Sequence, residues 1–286
     1  MIVVSYNMAA ALKRCLAALE QSAERAAFEI VVVDNGSEDE SVEVIDSFPN
    51  VTPLRLPRNF GFVKALNIGM RTAKGEFFLF LNPKTEVLPD TVSALTAHLA
   101  KEADAVALSP AIATPDGQPA AHLYKLPRQA DLRALAAAGE FEAAPVPEAA
   151  GETVAIEFAG FAALMVRSYF LKGLRHIDER YAQSWADAEI ALQIRRAGKK
   201  TLLAPAIRAV WHPEDDLRRS MPANPLELLA ADWALGAATY AAKHFGFGAG
   251  LKVRLSAIFS ALFSFRLRRF SYLLTPQKID GTQTMM

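Results

Sequence analysis

The sequence predicts an α/β fold built around a mostly parallel sheet flanked by helices. Three observations carry that expectation: short continuous apolar runs, helix-patterned segments between them, and clusters of turn and cap residues at the same end of successive runs. A continuous apolar run marks a strand buried on both faces. Strands that alternate with helices at this spacing connect by crossovers in a parallel sheet.

In chain order, Ile2-Val3-Val4 is the first strand and Ala9 to Ala27 reads as a helix. Glu29 to Val33 is the second strand, and it stops at Asp34-Asn35-Gly36-Ser37. Ser41 to Phe48 reads as a short helix and Val51 to Leu56 as a strand. Asn59-Phe60-Gly61 turns into a helix from Val63 to Thr72, and Glu76 to Leu81 is a fourth buried strand. In open α/β sheets ligands lie beyond the carboxyl ends of the strands. Ser5-Tyr6-Asn7, Asp34 to Ser37 and Asn82-Pro83-Lys84 all fall there. Caps and turns use the same residue types, but three clusters at equivalent positions predict one shared binding crevice.

The middle of the chain changes character. Residues 110–152 carry six prolines around the alanine-rich Ala130–Ala138, which predicts an irregular excursion with one short helix. Such long segments serve as lids or as mobile connections. Val154 to Val166 returns to buried character, and Trp185 to Ala197 reads as a helix ended by Gly198. Leu202 to Pro205 and Ile207 to Trp211 are short strand candidates. Pro225 to Phe245 and Leu251 to Leu274 are helical stretches, the second with Lys252, Arg254, Arg266, Arg268 and Arg269 around an apolar run. A basic apolar helix fits a membrane surface, and it equally fits packing on the rest of the chain or across an oligomer. The expected division is residues 1–220 and a helical extension over 221–286.

Composition narrows the function. The 31 Lys+Arg balance 31 Asp+Glu, so a generic nucleic-acid binder is excluded. The single cysteine, Cys15, lies in a helix-patterned stretch and reads as core packing. The amino-terminal MIVVSYN has no signal-peptide pattern, and no apolar run reaches the roughly 18 residues of a membrane span. These features predict a cytoplasmic protein, with a peripheral place on the inner face of the membrane as a further reading.

Five segments in order carry a resemblance: VVVDNGSEDES (31–41), NFGFVKALNIGMRTAKGEFFLFLNPKTEV (59–87), FAGFAALMVR (158–167), HIDERYAQSWADAEIALQIRRAGKK (176–200) and AVWH (209–212). Together they resemble the inverting family 2 glycosyltransferases of the GT-A fold, in the branch of rhamnosyl- and galactofuranosyl-transferases. The resemblance covers about residues 2 to 215. It implies transfer of a sugar from a UDP- or dTDP-linked donor to a hydroxyl of a saccharide or lipid-linked saccharide. Bacterial cell-wall or polysaccharide synthesis is the setting it suggests.

The resemblance also assigns residues. Ser5, Tyr6, Asn7 and Asp34 are placed at the nucleoside, and Asn59, Gly61 and Asn67 along the nucleotide pocket. Asp187 takes the position of the catalytic base, Asp178 lies toward the acceptor, and Glu189 stands where relatives have a second aspartate. The acidic neighbour that relatives carry before the base is here Ala186. Relatives have an aspartate after Asn-Pro that holds Mg²⁺ or Mn²⁺, whereas this chain reads Asn82-Pro83-Lys84. His212 matches a second metal ligand of some relatives. Two readings follow: Lys84 replaces the metal as a point charge on the diphosphate, or the protein is a degenerate member that binds nucleotide-sugar or glycan, or acts as a scaffold, without turnover.

Overall fold

The computed structural model describes residues 1–147, 151–215 and 223–275. The boundary expected at residue 220 falls outside them. The first half alternates as the apolar runs predict: β1 Ile2–Ser5, α1 Ala9–Glu20, β2 Ile30–Asp34, α2 Ser41–Asp46, β3 Val51–Arg55, α3 Phe62–Thr72 and β4 Phe77–Leu81. Next come β5 Thr85–Val87, α4 Thr91–Lys101, β6 Ala105–Ala113, β7 Leu123–Tyr124 and α5 Leu132–Ala138. The second half holds β8 Val154–Ile156, β9 Phe158–Ala159, β10 Ala163–Arg167, α6 Ser168–Gly173, α7 Ala186–Arg196 and β11 Lys200–Trp211. It closes with α8 Ala223–Phe245, α9 Phe247–Phe263 and α10 Leu267–Leu274.

The main sheet runs β3-β2-β1-β4-β10-β6-β11-β5, with β8 added on β11. β1 to β4 pair in parallel and β6 pairs parallel to β11, while β10 lies antiparallel between β4 and β6. Alternation along the strands divides the core into two layers. Val3, Val32, Leu79 and Leu81 pack with Leu12 and Leu16 of α1 and Leu95 and Leu99 of α4. Ile2, Val31, Val33, Phe78 and Phe80 pack with Val63 and Leu66 of α3, Ile190 and Ile194 of α7 and Tyr240 of α8. Cys15 is buried in the first layer, where desolvation pushes its thiol up to about 12.

Several boundaries differ from the sequence reading. α1 ends at Glu20 rather than Ala27, and Arg25–Ala27 forms a separate 3-10 turn after Glu24 at φ 55°. The excursion begins later than Pro110, because β6 continues through Ala113 beside β11. The two short strands expected over 202–211 are one strand with an irregular register between Ala204 and Arg208. The last helical stretch is two helices, broken at Phe265 with φ 54°.

Candidate active site

The carboxyl ends of β1, β2 and β4 form one edge. Ser5 lies opposite Asp34 in the register, and Leu81 lies opposite both Val3 and Ala163. Ser5 and Asp34 are buried, yet Ser5 Oγ and Asp34 Oδ1 have no hydrogen-bond partner among the described residues. Asp34 Oδ2 accepts from the Ser37 amide at 3.1 Å. A buried polar atom left unpaired costs about 1–3 kcal/mol. Two such atoms side by side at strand ends are what a ligand with matching hydrogen-bonding groups would satisfy. Tyr6 is the first residue after β1, half-buried.

The neighbouring amides hold this edge in shape. Asn7, at φ 50°, donates its backbone N–H to Ser37 Oγ at 2.9 Å and accepts from the Glu38 amide at 2.8 Å. Asn59 Oδ1 accepts from Asn35 Nδ2 and from the Gly61 amide, both at 2.9 Å. Gly61 starts α3 at φ 88°, a conformation that suits glycine. Asn67 is buried, and its amide binds the Ile177 backbone through both N–H and C=O, with a third bond to Glu179. The pocket residues expected at 59–67 thus act by fixing loops, and Asn67 faces the 177–179 segment.

That segment leads on to α7. Residues 182–185 connect it to α7, with Ala182 at φ 43° and Trp185 at φ 74°. Non-glycine residues held there are strained and persist only where surrounding structure enforces them. The enforcement is visible. Val63 N–H donates to Ala182 C=O at 2.9 Å, Phe62 N–H donates to Gln183 Oε1 at 3.3 Å, and Ser184 Oγ donates to Asp232 Oδ2 at 2.7 Å. Asp232 lies on α8, and burial pushes its carboxyl up to about 7.

Asp187 opens α7 just beyond this loop. Asp187 is half-buried as a residue, and desolvation of its carboxyl raises the pKa to about 6, against a smaller opposing effect of the Ala188 and Asp187 amides. The Ala188 N–H donates to Oδ1 at 2.9 Å. Gly160 faces it: a Cβ there would sit 3.5 Å from Asp187 Oδ2 and 3.2 Å from the Tyr124 ring. The strained loop, Asp232 and Gly160 were not singled out from the sequence as site parts. Only Gly160, central in FAGF, left a trace there.

Glu189 and Asp178 sit in a different setting. Glu189 is buried and accepts from Tyr181 Oη at 2.8 Å, Gln193 Nε2 at 2.9 Å, Lys243 Nζ at 2.8 Å and His244 Nε2 at 2.5 Å. Burial alone would raise its pKa, but bonds from Lys243, His244, Gln193 and Tyr181 outweigh that and lower it. For Asp178, burial is likewise outweighed by hydrogen bonds from Arg180 and Lys243, which hold its carboxyl well below the usual range. Both acids tie α7 and the 177–181 segment to α8, so neither oxygen pair opens freely onto the crevice.

The metal position fails a fit test. Asn82 folds back, its Oδ1 accepting from the Lys84 amide at 3.0 Å, and the Lys84 ammonium rests 4.6 Å from the centre of the Trp211 ring. His212 bonds Glu86 through Nε2 and Glu214 through Nδ1, both at 2.9 Å. The two carboxylates therefore lie at opposite edges of the imidazole and do not converge on one point. Among the described residues no group of three His, Cys, Asp or Glu could hold a metal ion. An ammonium in the ligand position and a histidine with both nitrogens engaged do not suit Mg²⁺ or Mn²⁺.

Known proteins share this architecture. The structure of GalNAc-T7 with UDP, GalNAc and Mn²⁺ superposes with a TM-score of 0.60 at 19% identity, over 74% of this chain and 43% of that one. The mannosyltransferase PcManGT from Pyrobaculum calidifontis, with GDP-Man and Mn²⁺, gives 0.56 at 16% identity over 96% and 84%. S. aureus TarS 1-349 with UDP-GlcNAc gives 0.57 at 17% identity over 95% and 72%. These likenesses show the GT-A fold. In sequence, an uncharacterized glycosyltransferase of Haemophilus influenzae is 38% identical over 90 residues, 31% of this chain and 30% of that protein. The uncharacterized glycosyltransferase YfnE of Bacillus subtilis is 34% identical over 82 residues, 28% and 21%. The matched stretches thus span less than a third of either relative. The sequence pattern of Glycosyl transferase family 2 fits residues 1–145, just over half of the chain, and the protein belongs to that family.

Proposed function

We propose that the protein transfers a sugar from a nucleoside-diphosphate donor to a hydroxyl of a saccharide or lipid-linked saccharide, with inversion and without a divalent metal. The observation that carries this reading is Asp187: a desolvated carboxyl with its pKa raised to about 6, at the start of a helix, beside a crevice of the GT-A fold. A carboxylate more basic than usual is suited to general-base work near neutral pH. The acceptor oxygen attacks the anomeric carbon, Asp187 takes its proton, and the bond to the diphosphate breaks with its electron pair leaving on the phosphate oxygen. A single displacement inverts the carbon and needs no covalent intermediate.

Ser5 Oγ and Asp34 Oδ1 are offered to the nucleoside, consistent with their lack of hydrogen-bond partners among the described residues. Neighbours of this fold bind UDP, GDP-Man and UDP-GlcNAc, which leaves UDP- and dTDP-sugars as reasonable first donors. Lys84 supplies positive charge for the departing diphosphate. Its ammonium rests over the Trp211 ring, 4.6 Å from the ring centre, at the end of the segment that follows β4. We place residues 1–220 as the catalytic unit and 221–286 as an extension that braces it through α8. Peripheral attachment on the inner face of the cytoplasmic membrane goes with a lipid-linked acceptor. The rhamnosyl/galactofuranosyl branch remains part of the proposal for the transferred sugar.

Calorimetric titration of UDP- and dTDP-sugars tests the reading, once in EDTA and once with Mn²⁺. Micromolar binding that survives EDTA, followed by turnover, is the expected result. Binding that needs Mn²⁺ overturns metal independence. Binding without turnover by wild type assigns the chain to the non-catalytic alternative.

A further inference from the structure

We infer that the outer face of α9, with the turn into α10, is a docking surface for an anionic lipid surface. Of the twelve large hydrophobic side chains exposed among the described residues, nine lie between Phe247 and Leu274. Phe247, Leu251, Leu255, Phe259 and Phe263 recur every fourth residue along α9, and the inner face of the helix packs on α8 through Gly250, Val253 and Ala261. At 1.5 Å per residue this row extends roughly 24 Å. Phe263 is 76% exposed and Phe265, in the turn, 86%. Phe265 also adopts φ 54°. That conformation closes α9, with Phe265 N–H bonded to Leu262 C=O at 3.1 Å and Arg266 N–H to Ala261 C=O at 2.9 Å, and it leaves the Phe265 ring outside the helix. An apolar row of this extent on one face marks an interaction site rather than scattered exposure.

Charge selects the occupant. The whole chain is neutral, yet residues 246–275 contain five Lys and Arg and no Asp or Glu. Arg266 and Arg269 reach Glu227 of α8, and Arg254 donates to the Leu273 carbonyl, which leaves Lys252, among the exposed side chains of α9, and Arg268, on α10, as exposed cations. A second copy seated by a two-fold axis would set these cations against their own images, with no acid of the segment to answer them. Lys252 also lies within the apolar face, and charged residues are depleted from the centre of protein interfaces. At a bilayer the same lysine extends its ammonium to a phosphate while its stem and the phenylalanines enter the acyl boundary. No described helix is long and apolar enough to cross a membrane, so the contact is at the surface.

This inference rests on the peripheral attachment proposed above and names the face that makes it; its readout needs no turnover, so its failure is distinguishable from failure of the transferase reading. The test is co-sedimentation of the full chain with phosphatidylcholine vesicles, with and without 30 mol% phosphatidylglycerol, at low and high salt. The expected result is binding to the anionic vesicles, weakened at least fivefold by 0.5 M salt. The double variant Phe259→Ser/Phe263→Ser should weaken it tenfold or more, and Lys252→Glu/Arg268→Glu should remove the preference for anionic lipid. Circular dichroism melts matching wild type show that these exposed substitutions leave the fold intact. Wild type that remains in the supernatant, or binding that both variants retain in full, overturns the inference. So does a dimer in sedimentation equilibrium that Phe259→Ser/Phe263→Ser dissociates, which gives the face to a second copy.

Discussion

Two acids of α7, one beside Gly160 and one facing α8, present the same chemical group in opposite settings. Asp187 and Glu189 are two residues apart on one helix turn. Asp187 receives only backbone N–H groups and little solvent, so its ionised form is disfavoured and its pKa rises to about 6. Glu189 is surrounded by Lys243, His244, Gln193 and Tyr181, so its ionised form is favoured and its pKa falls. One acid keeps a raised basicity, which the proposed function puts to use on a substrate. The other has its charge committed to joining two helices. A carboxylate's role here follows from what converges on it, not from its place in a motif.

The comparison can be broken most severely at Asp187. Asp187→Asn should lower the transfer rate by about a thousandfold, within the range a general base contributes, and leave donor affinity within a few fold by calorimetry. Glu189→Ala should keep the crevice chemistry while costing about 3 kcal/mol in urea unfolding, because it removes the buried carboxylate that accepts from Lys243, His244, Gln193 and Tyr181 and joins α7 to α8.

Stability sharpens the contrast, because the two substitutions should act with opposite signs. Folding raises the Asp187 pKa from 3.8 to about 6, so between those values the native state holds a proton the unfolded chain has released. Stability therefore falls as pH rises through that window, and above it the ionised carboxylate is a standing cost. Asp187→Asn removes the cost and should stabilise the protein at pH 8 by about 1 kcal/mol, a figure already reduced because the residue is only half-buried. Urea midpoints that shift the same way for both variants would defeat the distinction.

Smaller effects belong to the donor side. Lys84→Ala should weaken nucleoside diphosphate binding about tenfold in EDTA, in line with roughly 1.5 kcal/mol for a hydrogen bond to a charged group. Ser5→Ala should weaken it about fivefold, the loss of one hydrogen bond of about 1 kcal/mol. Neither substitution should move the pH dependence of transfer, which calorimetry and initial rates together would verify.

Much of the frame was legible in the sequence because its signals are local. The runs at Ile2, Ile30 and Phe77 are buried on both faces and read directly as strands. Their polar ends mark the crevice by topology alone. What stayed hidden depends on distant partners. Glu189 looks like a site acid until Lys243 and His244 arrive from α8, more than fifty residues later. Asn67 looks like a pocket amide until Ile177 occupies it. The break at Phe265 carries neither glycine nor proline, so no turn signal announced it. His212 showed a metal-ligand residue type, but the glutamates on its two nitrogens come from β5 and from the turn after β11.

The most direct test of the central claim is the pH dependence of nucleoside diphosphate release from a bound nucleotide-sugar under single-turnover conditions, for wild type and Asp187→Asn between pH 5 and 8. The wild-type rate should rise tenfold per unit up to about pH 6 and then level, while the variant stays flat and about a thousandfold lower. A variant that keeps the wild-type rate, or keeps the same rise with pH, would contradict Asp187 as the base.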